Sequence, residues 1–397
     1  MISGSVKQIG FRQPSTSSGG WLAIFLALLC FGITTGWAHD GRGSQFIGIS
    51  DFSRFYKYTG PETGEMMWIS PEIAPSITWN ELVMSWNVDA PTNSYIKMEV
   101  RAFRRARVSR YYTMALWSPT PGEHPRTSVP NQMDEQGNVD TDTLTLDHQC
   151  DRLQVRLTMG GPPAQKPRLK YLGFTLLNNE ATPPRLTPRR LAWGKLIDVP
   201  ERSQMDYPNG NVLCSPTTVS MMMSYWSAHA RQPAWDRDIP EVAAGVFDTN
   251  WKGTGNWSFN TAYPGSLKGL RACVTRFSGI PEIESWILHG FPVGLSLCYD
   301  RLRGKGPGPN GHLVVCVGFT ADGDPIINDG GTRQNVRKVF PRKNLENAWA
   351  YSRNTVYLIY PEDAKVPADD FGHWPSWSSK QRYQYFDGLR PEYRQSH

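Results

Sequence analysis

A cysteine ahead of a helix, a histidine opening a strand and an aspartate ending the next strand are the residues here whose types and order fit one reaction. The segment Asn211-Val212-Leu213-Cys214-Ser215-Pro216-Thr217-Thr218 opens a helix. Ser215 suits its cap and Pro216 its first turn, and Val219, Met222, Met223 and Trp226 then recur at helical spacing. Cys214 would meet the positive end of the helix dipole and unpaired backbone N–H groups, which favour a thiolate and could help hold an oxyanion. Taken alone, this placement fits a small buried residue ahead of a core helix better than a nucleophile.

The later segment Gly311-His312-Leu313-Val314-Val315-Cys316-Val317-Gly318-Phe319 reads as a buried strand that begins at His312. After a turn at Ala321-Asp322-Gly323-Asp324, the strand Pro325-Ile326-Ile327-Asn328 runs back and delivers Asp329 towards the His312 end. A carboxylate on one imidazole nitrogen fixes the tautomer, so the other nitrogen can take a thiol proton and later protonate a leaving amine. A symmetric hairpin about that turn would bring Asp329 nearer to Cys316 than to His312, so the pair requires a bulge or a diagonal reach.

The elements that must position these residues follow from the pattern along the chain. Residues 45–178 alternate as strands, for example Leu82-Val83-Met84-Ser85-Trp86-Asn87-Val88 and Leu153-Gln154-Val155-Arg156-Leu157, separated by Pro, Gly, Asn and Asp. This predicts an antiparallel β-sandwich, serving as a ligand-positioning module or a structural cap. Residues 179–195, with Pro183, Pro184 and Pro188, read as a semi-rigid linker. Residues 196–361 start with a helix and finish with strands, an α+β order, and residues 362–397 form a polar tail without a period.

With the residues in that order, Cys214-Ser215-Pro216, Gly311-His312-Leu313-Val314-Val315 and Ile326-Ile327-Asn328-Asp329 resemble the C39-like, papain-fold cysteine peptidases. The run Gly253-Thr254-Gly255-Asn256-Trp257-Ser258-Phe259-Asn260-Thr261-Ala262 is similar to exported bacterial members that carry an N-terminal β-sandwich. The resemblance implies a papain-like domain with Cys214 as nucleophile, His312 as base and Asp329 as orienter. It also implies that Gln204, in Val199-Pro200-Glu201-Arg202-Ser203-Gln204, completes the oxyanion hole. Two positions depart from the family pattern: Gly330 stands where a Pro often follows the Asp, and Ser215 where a Gly often follows the Cys.

Residues 1–38 read as a signal peptide, with Lys7 and Arg12 before an apolar run from Trp21 to Ile33 and small residues suiting cleavage after Ala38. The run is shorter than the ~20 residues of a spanning helix, which makes an uncleaved anchor the second reading. Leu29 before Cys30 disfavours lipid attachment. The expected location is therefore outside the cytoplasm. Removing the leader leaves Cys150, Cys214, Cys273, Cys298 and Cys316, an odd set without CxxC spacing and no basis for a disulfide framework.

Hydrophobic residues at 39% and charges at 20% describe a globular protein, and the 397 residues suit two domains. A net charge of +6 permits weak association with anionic wall polymers but gives no reason to expect nucleic-acid binding. No histidine spacing suits a metal, and no cofactor is expected. The basic run Arg101–Arg110 reads as an edge strand guarded by charge, and Asn256-Trp257-Ser258 is a glycosylation sequon by pattern. The expected activity is hydrolysis of a peptide or wall-peptide amide through a thioester acyl-enzyme. The alternative is a non-catalytic surface protein that binds peptide or cell-wall glycan.

Overall fold

β-Branched and aromatic residues alternating between Gly, Asn and Pro turns fold the first part of the chain into strands. These are β1 (Ser44–Ile49), β2 (Tyr56–Thr59), β3 (Met66–Ile69), β4 (Glu72–Ala74), β5 (Trp79–Asp89) and β6 (Tyr95–Arg104). They continue with β7 (Arg107–Val108), β8 (Tyr112–Trp117), β9 (Gly137–Asp140), β10 (Thr143–Cys150), β11 (Arg152–Gly160) and β12 (Arg168–Leu177). One antiparallel sheet has the order β1-β12-β5-β10-β9, and a second is built around β6 and β11. The structure, a computed structural model, describes residues 43–373 apart from 121, 123, 163–165 and 309, together with 384–386. The leader expected at 1–38 lies outside the described residues.

The second part mixes helices with a third antiparallel sheet. Helices α1 (Cys214–Ala230), α2 (Ile239–Val246) and α3 (Trp257–Ser266) come first. Then follow β13 (Leu270–Arg276), α4 (Ile280–Leu288), β14 (Val293–Cys298), α5 (Tyr299–Leu302), β15 (Gly311–Phe319) and β16 (Pro325–Asn328). The remaining elements are β17 (Arg337–Val339), α6 (Arg342–Trp349), β18 (Thr355–Pro361) and β19 (Gln384–Phe386), the last pairing with β4. The third sheet has the order β13-β18-β14-β15-β16-β17. The fold is thus mixed α+β, with antiparallel sheets throughout.

Strand β13 is an edge of its sheet, yet its outward backbone groups are occupied. The Asn87 amide on β5 donates to Ala272 O at 2.8 Å and accepts from Ala272 N at 3.1 Å. Val274 N donates to Ser85 Oγ at 2.9 Å, and Thr175 Oγ on β12 donates to Val274 O at 2.7 Å. Side chains of the first sheet therefore stand in for a neighbouring strand, satisfying polar groups that would be costly to bury unpaired. Apolar packing joins the parts as well, with Trp86 on β5 and Trp117 on β8 each meeting Phe259 of α3, at ring separations of 6.1 and 5.3 Å.

The segment after residue 361 is tied in through His373, whose ring is within hydrogen-bond distance of Ser44 Oγ (3.2 Å) and Thr275 Oγ (3.0 Å). Its carbonyl accepts from Phe46 N at 2.9 Å. The basic run lies only partly on an edge: β6 pairs with β11 on one side and with β7 and β8 on the other, so Arg101 and Arg104 belong to an interior strand, while Arg107 lies on β7, which pairs with β6 alone. Its arginines are placed by local partners instead, Arg101 donating to Gln154 and lying 4.8 Å from the Tyr111 ring centre.

Candidate active site

A short 3-10 turn, Gly210–Val212, leads into α1, and Asn209 before it takes a left-handed conformation (φ 57°). The helix begins at Cys214 itself, two residues earlier than Ser215 capping would require, with Leu213 at the cap position. The Leu213 carbonyl accepts from Thr217 N at 3.0 Å and Thr217 Oγ at 2.8 Å, which closes the first turn. Ser215 is buried inside that turn and pairs with the Tyr357 hydroxyl at 2.9 Å. Cys214 thus occupies the first helical position, among N–H groups that the helix cannot satisfy internally.

The hairpin β15–β16 carries the other two residues, and a bulge in it decides whether they meet. Phe319 pairs with Pro325 and Gly318 with Ile326, but the register shifts after Gly318, so that Ile327 pairs with Cys316 and Asn328 with Val315. The unshifted register would put Asp329 opposite Val315, whose side chain points away from the face of His312. The shifted one puts it opposite Val314, on the same face as His312 and one diagonal step away. Gly318 is needed here because a Cβ would lie 2.3 Å from Lys195 O, where residues 195–197 pair with the strand.

His312 Nε2 bonds Asp329 Oδ1 at 2.8 Å, and the ring also hydrogen-bonds the half-buried Cys214. With Nε2 engaged by the carboxylate, Nδ1 is the nitrogen that serves the sulfur. Asp329 is buried and accepts further bonds from Gly331 N (3.0 Å) and the Tyr299 hydroxyl (2.8 Å), with Lys338 Nζ at 3.5 Å from Oδ2. Burial pushes the Asp329 carboxyl up, but the bonds from His312, Tyr299 and Gly331 outweigh it and hold the group down at about 2. Burial lowers His312, and its bonds to Asp329 and Cys214 reverse this, raising it to about 9.

The Cys214 thiol is pushed up by burial and brought below its ordinary value by the hydrogen bond and charge of His312, helped by the Leu313 and Ser215 amides. Burial instead pushes Cys150 up to about 11, and Cys273 and Cys316 to about 12. The site therefore brings together a thiol shifted downward, an imidazole shifted upward and a carboxylate, an arrangement suited to nucleophilic attack followed by proton delivery.

Gln204 lies in a 3-10 turn (Gln204–Asp206) and is buried. Its side-chain nitrogen donates to Gly210 O at 2.6 Å, and its backbone N–H to Gly330 O at 3.0 Å. The structure thus ties Gln204 to the segment entering Cys214 and to the residue following Asp329, rather than to the sulfur. Gly330 packs on α1, where a Cβ would lie 2.5 Å from Thr217 Cγ, and Gly331 lets the turn run flat against the His312 ring. Tyr299, which sequence reasoning passed over, stacks on His312 with ring centroids 4.2 Å apart. Its signal was positional: Cys298 at the end of β14 pairs with Gly311, so the residue that follows the strand and opens α5 sits beside His312's end of the sheet.

The sequon is not available for modification, since Asn256 is buried, bonds Asp248 at 2.9 Å and caps α3 by accepting from Phe259 N. Among the described residues, no group of three or more His, Cys, Asp or Glu could hold a metal ion, and no helix is long and apolar enough to cross a membrane.

Residues 34–176 match the family model of the Peptidase C39 N-terminal domain, and residues 196–357 match that of the Peptidase C39-like family. The chain is thus similar to C39-like peptidases over both segments. Gln204, Cys214, Tyr299, His312 and Asp329 all lie within residues 196–357, the segment matched by the second model. A crystal structure assigned as a candidate C39-like peptidase from Bacillus anthracis matches at 18% identity and a TM-score of 0.30, covering 41% of this chain and 96% of that one. The CBM22-1–GH10 modules of Clostridium thermocellum endo-1,4-β-D-xylanase 10B, complexed with xylohexaose, match at 8% identity and a TM-score of 0.15, covering 38% of this chain and 30% of that one. A search of curated proteins finds no match.

Proposed function

We propose that this chain is an exported cysteine hydrolase that cleaves peptide amide bonds through Cys214, His312 and Asp329. The observation that carries the reading is the chain of contacts from Asp329 Oδ1 through His312 Nε2 at 2.8 Å to a thiol lowered by the same imidazole. The match of residues 196–357 to the model of a peptidase family supports the same chemistry. In this reading the third sheet and α1 form a papain-like unit, and the two N-terminal sheets form a β-sandwich that covers it.

The Cys214 thiolate attacks the amide carbonyl and forms the C–S bond, while the carbonyl oxygen gains the electron pair. First-turn amides of α1 stabilise that oxyanion, and the second N–H of the Gln204 side chain, the one not spent on Gly210, is the further donor. The intermediate collapses to a thioester as the C–N bond breaks and protonated His312 delivers its proton to the leaving amine. Neutral His312 then takes a proton from water, which attacks the thioester and returns the sulfur as thiolate. Asp329 holds the imidazole in orientation throughout and favours its charged form. The substrate is a peptide or a wall peptide, and removal of residues 1–38 precedes function outside the cytoplasm.

The test is cleavage of a mixed peptide library by the mature chain, read by mass spectrometry. Wild type produces cleavage products, and Cys214→Ala with an unchanged melting profile produces none. Equal cleavage by Cys214→Ala would overturn the reading.

A further inference from the structure

A cleft of 560 Å³ is lined by both halves of the chain, and two of its neighbouring segments reach the residues flanking Cys214 and His312. One wall is the β9–β10 turn with Asp140, Thr141 and Thr145; the other is formed by Trp251, Trp257 and Tyr351. Two contacts connect it to the catalytic pair. Thr254, within the Trp251–Trp257 loop, donates to Val212 O at 2.9 Å, two residues before Cys214. The Tyr351 ring edge comes within 4.0 Å of where a Cβ on Gly311 would stand, next to His312.

The walls are fixed rather than loose. Trp251 is 49% exposed and folds over its own loop, where Cβ atoms on Gly253 and Gly255 would meet its ring at 2.7 and 2.8 Å. Tyr351 is 44% exposed. The β9–β10 turn is anchored by Asp142, whose carboxylate accepts from Trp257 N at the start of α3.

Four of the charges lining the cleft balance one another. Arg276 and Arg353 both pair with Glu81, and Asp142 is the second carboxylate in that group. Asp140 is left over at the mouth. It is exposed, and among the described residues its carboxylate receives only the Thr141 hydroxyl, at 3.3 Å. A single uncompensated carboxylate between exposed aromatic faces favours an alkyl stem ending in a cation, through charge attraction and cation–π contact together.

We propose that this cleft is a substrate subsite for a basic side chain, lysine or arginine, with Asp140 as counter-charge and Trp251 and Tyr351 as walls. The assignment rests on the hydrolase reading and gives the N-terminal half a share in choosing the substrate.

The test uses tetrapeptidyl acyloxymethyl ketones with lysine, norleucine or glutamate placed in turn at each position of an alanine backbone. The rate of Cys214 modification on the mature chain is read by intact mass. At one position, lysine is expected to react about tenfold faster than norleucine, with glutamate slowest. Because that ratio is taken within each protein, any general loss of rate in a variant cancels. Asp140→Asn brings the ratio to within about twofold, Asp140→Glu keeps it, and Asp140→Lys inverts it.

Iodoacetamide, which needs no subsite, separates the two claims. Rapid labelling of Cys214 that depends on His312, with no lysine preference or one that survives Asp140→Asn, overturns the subsite alone. Slow labelling that His312→Ala leaves unchanged overturns the hydrolase reading, and the subsite falls with it.

Discussion

The Tyr299 ring lies against the His312 imidazole, with centroids 4.2 Å apart and planes inclined at 37°, and its hydroxyl donates to Asp329 Oδ2 at 2.8 Å. One side chain therefore supports both partners of the histidine–carboxylate pair. Tyr299→Phe keeps the stacked ring and removes one bond to a buried carboxylate. We expect kcat to fall about tenfold with KM little changed, measured on the best library peptide. Tyr299→Ala, which also frees the imidazole, falls further.

Cleavage and alkylation should separate at high pH. Iodoacetamide needs only the charge on Cys214 and keeps its rate as pH rises past 9. Peptide cleavage needs a proton on His312, whose value is raised to about 9, and falls through that region. The limb belongs to the coupled pair rather than to one residue. Parallel pH profiles for the two reactions would contradict this assignment of roles.

Asp329 links acid stability to the site. Its folded value of about 2 lies below that of an unfolded carboxylate, so its stabilising contribution is complete above about pH 4 and is lost as pH falls towards 2. Urea midpoints at pH 5 and pH 3 should differ more for wild type than for Asp329→Asn. At neutral pH the same variant should lose about a hundredfold in kcat through misorientation of His312.

The side-chain cover over β13 can be tested at one residue. Asn87→Ala leaves both Ala272 N–H and Ala272 C=O buried without their partner. A loss of about 2–3 kcal/mol is expected from chemical denaturation. A change below about 0.5 kcal/mol would mean that these bonds contribute little.

Gly330→Ala places a methyl group 2.5 Å from Thr217 Cγ, in the turn that carries Asp329. We expect about 1–3 kcal/mol of destabilisation, with activity reduced beyond what the unfolded fraction explains. Thr217→Ser, made in the same background, removes the obstructing methyl and should restore part of both.

Local sequence carried much of the site. Cys214 at a helix start, His312 at a strand start and Asp329 past the returning strand are placed by short-range pattern, and the hairpin reading identified the need for a bulge. The particular bulge, at Val317 between Cys316 and Gly318, was not legible, because residues 195–197 pair with that strand from more than a hundred positions away. Ser215 looked like a cap because its type favours that position. The left-handed turn at Asn209 and the backbone of Leu213 set the helix start instead. Arg101 and Arg104 read as edge charges because the strand that covers β6 on its second side, β11, is distant in sequence. Tyr299 carried no motif, and its role exists only once β14 and β15 are paired.

His373 joins Ser44, Phe46 and Thr275 at one point. An early strand therefore waits for a residue made more than three hundred positions later before its bonding is complete. β1 can lie against β12 without His373, but its remaining bonds form only once His373 has docked. A protease cut between Pro361 and His373 would reopen that junction without touching any catalytic side chain.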